Sequence, residues 1–360
     1  MSETRPVRAS ENLDWQRLAA YLRENLGVGG EMEVEQFPGG HSNLTYLLRF
    51  PDSVILSRAD GEGSVPISAE LVLRRPPFGP VPPRAHDMAR ESRVLAAVHP
   101  HFPLAPKPLL LCEDLDVLGA VFYVMERRHG IVIRTKEPAA VAPLRAEISV
   151  SVVDTLADLH GIDVAAHGLE TLGKPAGFVA RQIKGWTERW HGAKTSDVPE
   201  MEWLASWLEQ HTPSDPMRPT LVHGDYKLDN VMFDAANPRR LVGVFDWEMS
   251  AIGDPLVDVG ILLCYWIHVA SANDDAISTV TKQPGWFTRE EILDRYSRRA
   301  NARLERIALY EVFAVFKLAV VIQQIYARYV RGQTDDPRFA TLGERVTALA
   351  RIASDLAAKV

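Results

Sequence analysis

A two-lobe α+β protein, with a small β-rich N-terminal lobe and a larger helical C-terminal lobe, is the fold class that this 360-residue sequence predicts. Three observations carry it. Short strand-like runs crowd the chain before residue 128. Seven helical patterns fill the rest, and one β-like island at 220–250 interrupts them. The lobes divide at Glu126, giving 1–126 and 127–360. Hydrophobic residues at 46% and charged residues at 24% exclude collagen-like, disordered and coiled-coil chains. A net charge of −7 argues against a dedicated nucleic-acid binder, which carries a basic face. The two cysteines, Cys112 and Cys264, share no CxxC spacing, so zinc and disulfide scaffolds are not expected; both read as buried residues in a reducing compartment. The opening MSETRPVRASENLDW lacks an apolar signal region. Leu256 to Ala270, taken as the most apolar stretch, holds Asp258 and His268 and is too short and polar for a membrane span. A cytoplasmic protein without membrane or nucleic-acid partners is expected.

In order along the chain, Leu18, Leu22 and Leu26 repeat at helical spacing within 13–26, and Gly27 ends that helix. Strands are expected at 33–37, 44–50, 71–74, 109–111 and 121–125, and a helix at 85–98. The interval 51–70 is long for a strand connection and reads as a hairpin extension. Helices follow at 139–160, 176–191, 200–210, 255–270, 289–300, 304–331 and 338–358, with β-like runs at 231–233 and 241–245.

The β island carries the chemistry. Leu221-Val222 delivers the loop His223-Gly224-Asp225. Asn230 follows Asp225 by five residues, and Asp246 in Phe245-Asp246-Trp247 follows it by 21. This is the spacing of phosphoryl transfer in protein kinases: a loop Asp takes the acceptor hydroxyl's proton, and an Asn and a later Asp hold Mg2+. Mg2+ demands hard oxygen ligands, and the transferred phosphoryl needs its charge neutralised.

On these motifs, HGDxxxxN and a later hydrophobic-Asp-Trp-Glu, the sequence resembles the aminoglycoside phosphotransferase and choline kinase superfamily. The resemblance implies a protein-kinase-like fold, ATP and Mg2+ as cofactors, and a small-molecule hydroxyl acceptor as partner. It implies Asp225 as base and Asn230 and Asp246 as metal ligands. His223 is read chiefly as holding the loop, with a direct chemical role as the alternative. Lys227 is either a γ-phosphate contact or a solvated lysine. Glu248 could assist the metal or, the favoured reading, cap the next helix. Asp258, a carboxylate in an apolar run, must be hydrogen-bonded and resembles the residue that ties down the catalytic loop.

Such a reading makes three demands upstream. A phosphate-covering turn is met by Gly39, Gly40, Ser42 and Asn43 between two strand candidates. A strand base is met by Arg74, which shares a face with Val72 by alternation; arginine here departs from the usual kinase lysine. A helix carboxylate is met by Glu91, which falls on the apolar stripe Met88, Leu95, Val98 and therefore needs a partner, with Arg74 the natural one. The strand ending at Glu126 and Arg128 sits where kinases place the adenine-binding hinge, so these two are read as backbone contacts.

For the acceptor, residues 271–360 hold 14 basic and 11 acidic residues, a basic tail that disfavours a polycationic acceptor. Trp186, Trp190, Trp203 and Trp207 pair at i, i+4 and read as helix–helix core, with the aromatic cage of a choline-type kinase as the alternative; Arg181, Lys184 and Arg189 read as a solvated face, with contact to an anionic acceptor as the alternative. The stretches RQIKGWTERW, VLRRPP and GDPLVDVG resemble the kinase-like domains fused to some acyl-CoA dehydrogenases. That implies a hydroxyacyl-CoA or hydroxy acid as acceptor, against an aminoglycoside- or choline-type kinase, or a nucleotide-binding pseudokinase.

Overall fold

The computed structural model describes residues 4–37, 43–51, 55–56, 66–67, 70–79, 86–269, 280–334 and 336–360. The chain forms two compact units: Met1–His129 with Gly243–Glu248, and Gly130–Val242 with Met249–Val360. The class is α+β, as expected.

In the first unit, helix α1 (Trp15–Leu26) starts where the Asp14 side chain accepts the Arg17 N–H and stops at Gly27, whose φ of 67° suits a residue without Cβ. Strands β1 (Glu33–Gln36), β2 (Leu44–Arg49), β5 (Glu70–Arg75), β6 (Pro108–Cys112) and β7 (Phe122–Glu126) make an antiparallel sheet in the order β1-β2-β5-β7-β6. The expected hairpin extension is there as β3 (Ile55–Leu56) paired with β4 (Pro66–Ile67). Leu18 and Leu22 of α1 share one core with Tyr46, Leu48, Leu71, Leu73 and Phe122. Alternation along β5 thus commits Leu71 and Leu73 to that core and leaves Arg74 on the opposite face. Helix α2 (Met88–Val98) begins at an Asp87 cap and packs on β6 and β7; the short α3 (Leu115–Leu118), absent from the sequence reading, follows β6.

The second unit is built on helices α4 (Arg145–Gly161), α5 (Phe178–Ala193), α6 (Pro199–Gln210), α7 (Leu256–Leu263), α8 (Arg289–Ala300), α9 (Ile307–Val330) and α10 (Leu342–Ala357). Strands β8 (Thr220–Val222), β9 (Val231–Phe233), β10 (Leu241–Val244) and β11 (Ala251–Gly253) form the island. The β8–β11 pair was not expected from sequence, because three-residue strands show no alternation to read. A π turn, Cys264–His268, continues α7, so the single helix expected at 255–270 is two different ones.

One described helix, α9, has the length and hydropathy to cross a membrane, and 83% of its apolar window is buried inside the protein. It outruns 256–270 as the apolar stretch. The four tryptophans do not form one core. Trp186 and Trp190 are buried, whereas Trp203 is 47% exposed.

Candidate active site

In the first unit, four ionisable side chains from distant parts of the chain meet. Arg74 lies 3.1 Å from Glu91 Oε2 and 2.5 Å from Asp246 Oδ1, with Glu248 at 3.8 Å. Glu91 is 1% exposed. Burial pushes its carboxyl up to about 7, against the pull of Arg74; Asp246 and Glu248 push the same way as burial, and a hydrogen bond from Tyr123 opposes them. Burial works against the charge of Arg74, but Glu91, Asp246, Tyr123 and Glu248 together hold its pKa well above the ordinary value. The pairing of Arg74 with Glu91 is the one the apolar stripe of α2 called for.

Asp246 sits at φ 70°, a left-handed conformation that a non-glycine residue holds only when its surroundings enforce it. Asn43 is 3% exposed; its amide donates to Glu248 at 2.8 Å and its carbonyl side meets His86 at 2.7 Å. Glu248 does not cap the next helix. It faces Arg74 and Asn43, while Asp254 accepts the Leu256 N–H at the start of α7. Glu126 and Arg128 pair at 2.5 Å, and each also bonds backbone: Glu126 accepts the Lys107 N–H and Arg128 donates to Pro103. Gly39, Gly40 and Ser42 lie outside the described residues.

In the second unit, the loop after β8 is held by its backbone. The fully buried Asp258 accepts the His223 and Gly224 N–H groups at 2.6 and 2.7 Å. Burial would raise its pKa, but His160, at 3.2 Å, and His223 hold it below the usual carboxylate range. His160 in turn meets the Tyr296 hydroxyl at 2.7 Å. At Gly224 φ is 82°, and a Cβ there would stand 2.6 Å from the Met249 carbonyl oxygen, so only glycine fits. The His223 ring is fully buried, and its Nδ1 accepts the Asp225 N–H at 3.2 Å. That bond ties the ring to the loop backbone.

Asp225 Oδ2 accepts from Lys227 Nζ at 2.5 Å and from Asn230 Nδ2 at 2.9 Å. Lys227 is therefore paired, and it also lies 4.8 Å from the Tyr265 ring centroid. Asp229 next to Asn230 has its pKa raised by burial. Lys317 of α9, absent from the sequence reading, donates to the Gly224 carbonyl at 2.5 Å. Burial lowers its pKa while Asp225 pulls it back up.

Each unit carries hard oxygen donors. In the second, Asn230 engages Asp225 through its Nδ2, which leaves its Oδ1 as a hard donor; in the first, Asp246 and Glu248 are carboxylates beside Arg74. Among the described residues no group of three or more His, Cys, Asp or Glu side chains could hold a metal by itself. Mg2+ asks for less, since it takes one or two protein ligands together with substrate phosphates.

In the basic tail, Arg289 pairs with Glu311 inside it, while Arg295 and Arg299 tie α8 to α4 through Asp154 and Asp158. Arg181 donates to the Lys174 and Ala176 carbonyls at the start of α5, a local cap.

The phosphotransferase enzyme family model matches residues 33–305. Acyl-CoA dehydrogenase family member 11 of Rattus norvegicus is 34% identical over 343 residues, covering 92% of this chain and 41% of that protein. The chain spans between 32% and 45% of the length of the curated relatives it matches. A solved structure from Ralstonia eutropha, described as a putative aminoglycoside phosphotransferase, is 30% identical with TM-score 0.77, covering 97% of this chain and 99% of that one. A thermostable mutant of an aminoglycoside phosphotransferase, in ternary complex with AMP-PNP and hygromycin B, shares the fold at 18% identity and TM-score 0.55, covering 93% of this chain and 98% of its own.

Proposed function

We propose that this chain, which belongs to the phosphotransferase enzyme family, is a small-molecule kinase that moves the γ-phosphate of ATP to a hydroxyl of a hydroxyacyl-CoA or hydroxy acid. Asp225 is the base, and Asn230 and Asp246 are the Mg2+ ligands. The observation that carries this reading is the asymmetry of Asp225. Its Oδ2 is held by Lys227 and Asn230, while Oδ1 has no protein partner among the described residues and is left to receive the acceptor's proton. Bound Mg2+ would supply charge neutralisation of the phosphates. Arg74, kept in place by Glu91, offers permanent positive charge and forked donors to the α- and β-phosphates. The use of ATP is supported by the AMP-PNP held in a protein of the same fold. The hydroxyacyl choice rests on the likeness to the acyl-CoA dehydrogenase family members.

The test is an incubation of purified protein with γ-labelled ATP, Mg2+ and a panel of hydroxyacyl-CoAs, hydroxy acids, choline and kanamycin. Labelled hydroxyacyl product is expected, with none from Asp225→Asn. Label on kanamycin or choline alone would overturn the acceptor, and turnover retained by Asp225→Asn would overturn the base.

A further inference from the structure

A buried ammonium that bonds the loop after β8 lies against a buried indole. Lys317 is 8% exposed, and its ammonium has three donors, of which one goes to the Gly224 carbonyl, one residue from Asp225. Its Nζ lies 5.3 Å from the centroid of the Trp186 ring. Trp186 is 4% exposed, and its Nε1–H is buried with no partner among the described residues. The Arg189 guanidinium covers the same indole at 4.6 Å. The spare capacity here is therefore an ammonium and an indole N–H, beside a second cation. A buried N–H left unbonded carries its full desolvation penalty, and such groups in a folded protein call for an explanation. A ligand offering lone pairs supplies one. A polycation meets only like charge.

We infer that Lys317 and Trp186 form a subsite that recognises an oxygen acceptor group, a carboxylate or a thioester carbonyl, on the same molecule whose hydroxyl is presented to Asp225. This rests on the kinase reading above and names the residues that select its acceptor. The proximity of Lys317 to Asp225 through one peptide unit makes the recognised oxygen and the reacting hydroxyl near neighbours on the acceptor.

Steady-state kinetics with 3-hydroxybutanoate, 3-hydroxybutanoyl-CoA and kanamycin as acceptors test this. The first two separate a free carboxylate from a thioester carbonyl. Trp186→Phe removes the N–H and keeps a ring against Lys317. It is expected to raise the KM of whichever oxygen-bearing acceptor is used by about tenfold, or about 1.4 kcal/mol, with a much smaller change in kcat and in the KM for ATP. Lys317→Arg is expected to recover more of the acceptor affinity than Lys317→Met. A purely structural role would move the thermal midpoint and both KM values together, and that result overturns the proposal. An acceptor KM within twofold of wild type in Trp186→Phe also overturns it, as does a wild type that uses kanamycin in preference to both hydroxybutanoyl probes. In that last case the kinase reading survives and the subsite does not. A wild type that consumes no ATP with any of the three overturns both.

Discussion

The two units solve the burial of charge in opposite ways. In the first unit, charge answers charge: Arg74 is held by Glu91 and Asp246, side chain to side chain. In the second, buried charges answer backbone: Asp258 takes two loop N–H groups and Lys317 takes a loop carbonyl. An ion cluster loses its logic when one member goes, because the others remain buried and unpaired. A loop clamped through its peptide groups keeps its shape when the reactive side chain is exchanged. The difference teaches that Asp225 is separable from the scaffold that presents it, and that Arg74 is not.

The sharpest way to use that contrast is Asp225→Asn. Loss of the base should lower kcat by about 10²–10⁴-fold, while the urea midpoint stays within error of wild type, because the loop bonds of Asp258 and Lys317 are untouched. A large fall in the urea midpoint would break the comparison. Next is Arg74→Met. Glu91 and Asp246 lose their cation, and removing one member of a buried pair costs about 3–5 kcal/mol. Equilibrium urea unfolding should show this, and the KM for ATP should rise with it. Asp258→Asn keeps one acceptor oxygen and strands one loop N–H, so about 1–3 kcal/mol should be lost by the same measurement. If Asp258→Asn is the more destabilising of the two, the backbone-clamped half is the more fragile and the contrast is inverted.

The smallest effect concerns pH. Glu91 is pushed up to about 7 by burial, so the folded state holds its proton more tightly than the unfolded chain. Its contribution to stability is present below the unfolded pKa of about 4.3 and is lost as pH rises through 7. Urea midpoints of wild type should therefore fall over that window more than those of Glu91→Gln, which cannot titrate. Parallel profiles would show that Arg74 keeps Glu91 ionised throughout.

Much of the site was legible because its chemistry repeats at short range. Asp225 and Asn230 share one loop, and Arg74 and Glu91 follow from strand alternation and a helical stripe. The exposed Trp203 was misread, since periodicity shows which residues share a face but not which face finds a partner. Lys317 was missed although a signal existed. Like Asp258, it is a charge inside an apolar helix, and the rule that a buried charge must be bonded applies equally to both.

By itself, then, the sequence determined the α+β class, the order of the longer strands and helices, and the residue types a phosphoryl transfer needs, because these depend on periodicity and spacing along one chain. Only the tertiary structure decided what each charge answers to: Glu248 turned to Arg74 and Asn43, His223 bound to a backbone N–H, and Lys317 brought from α9 to Gly224. Those pairings join residues up to 205 positions apart. They follow from how a buried charge or N–H is satisfied in three dimensions, which no local pattern encodes.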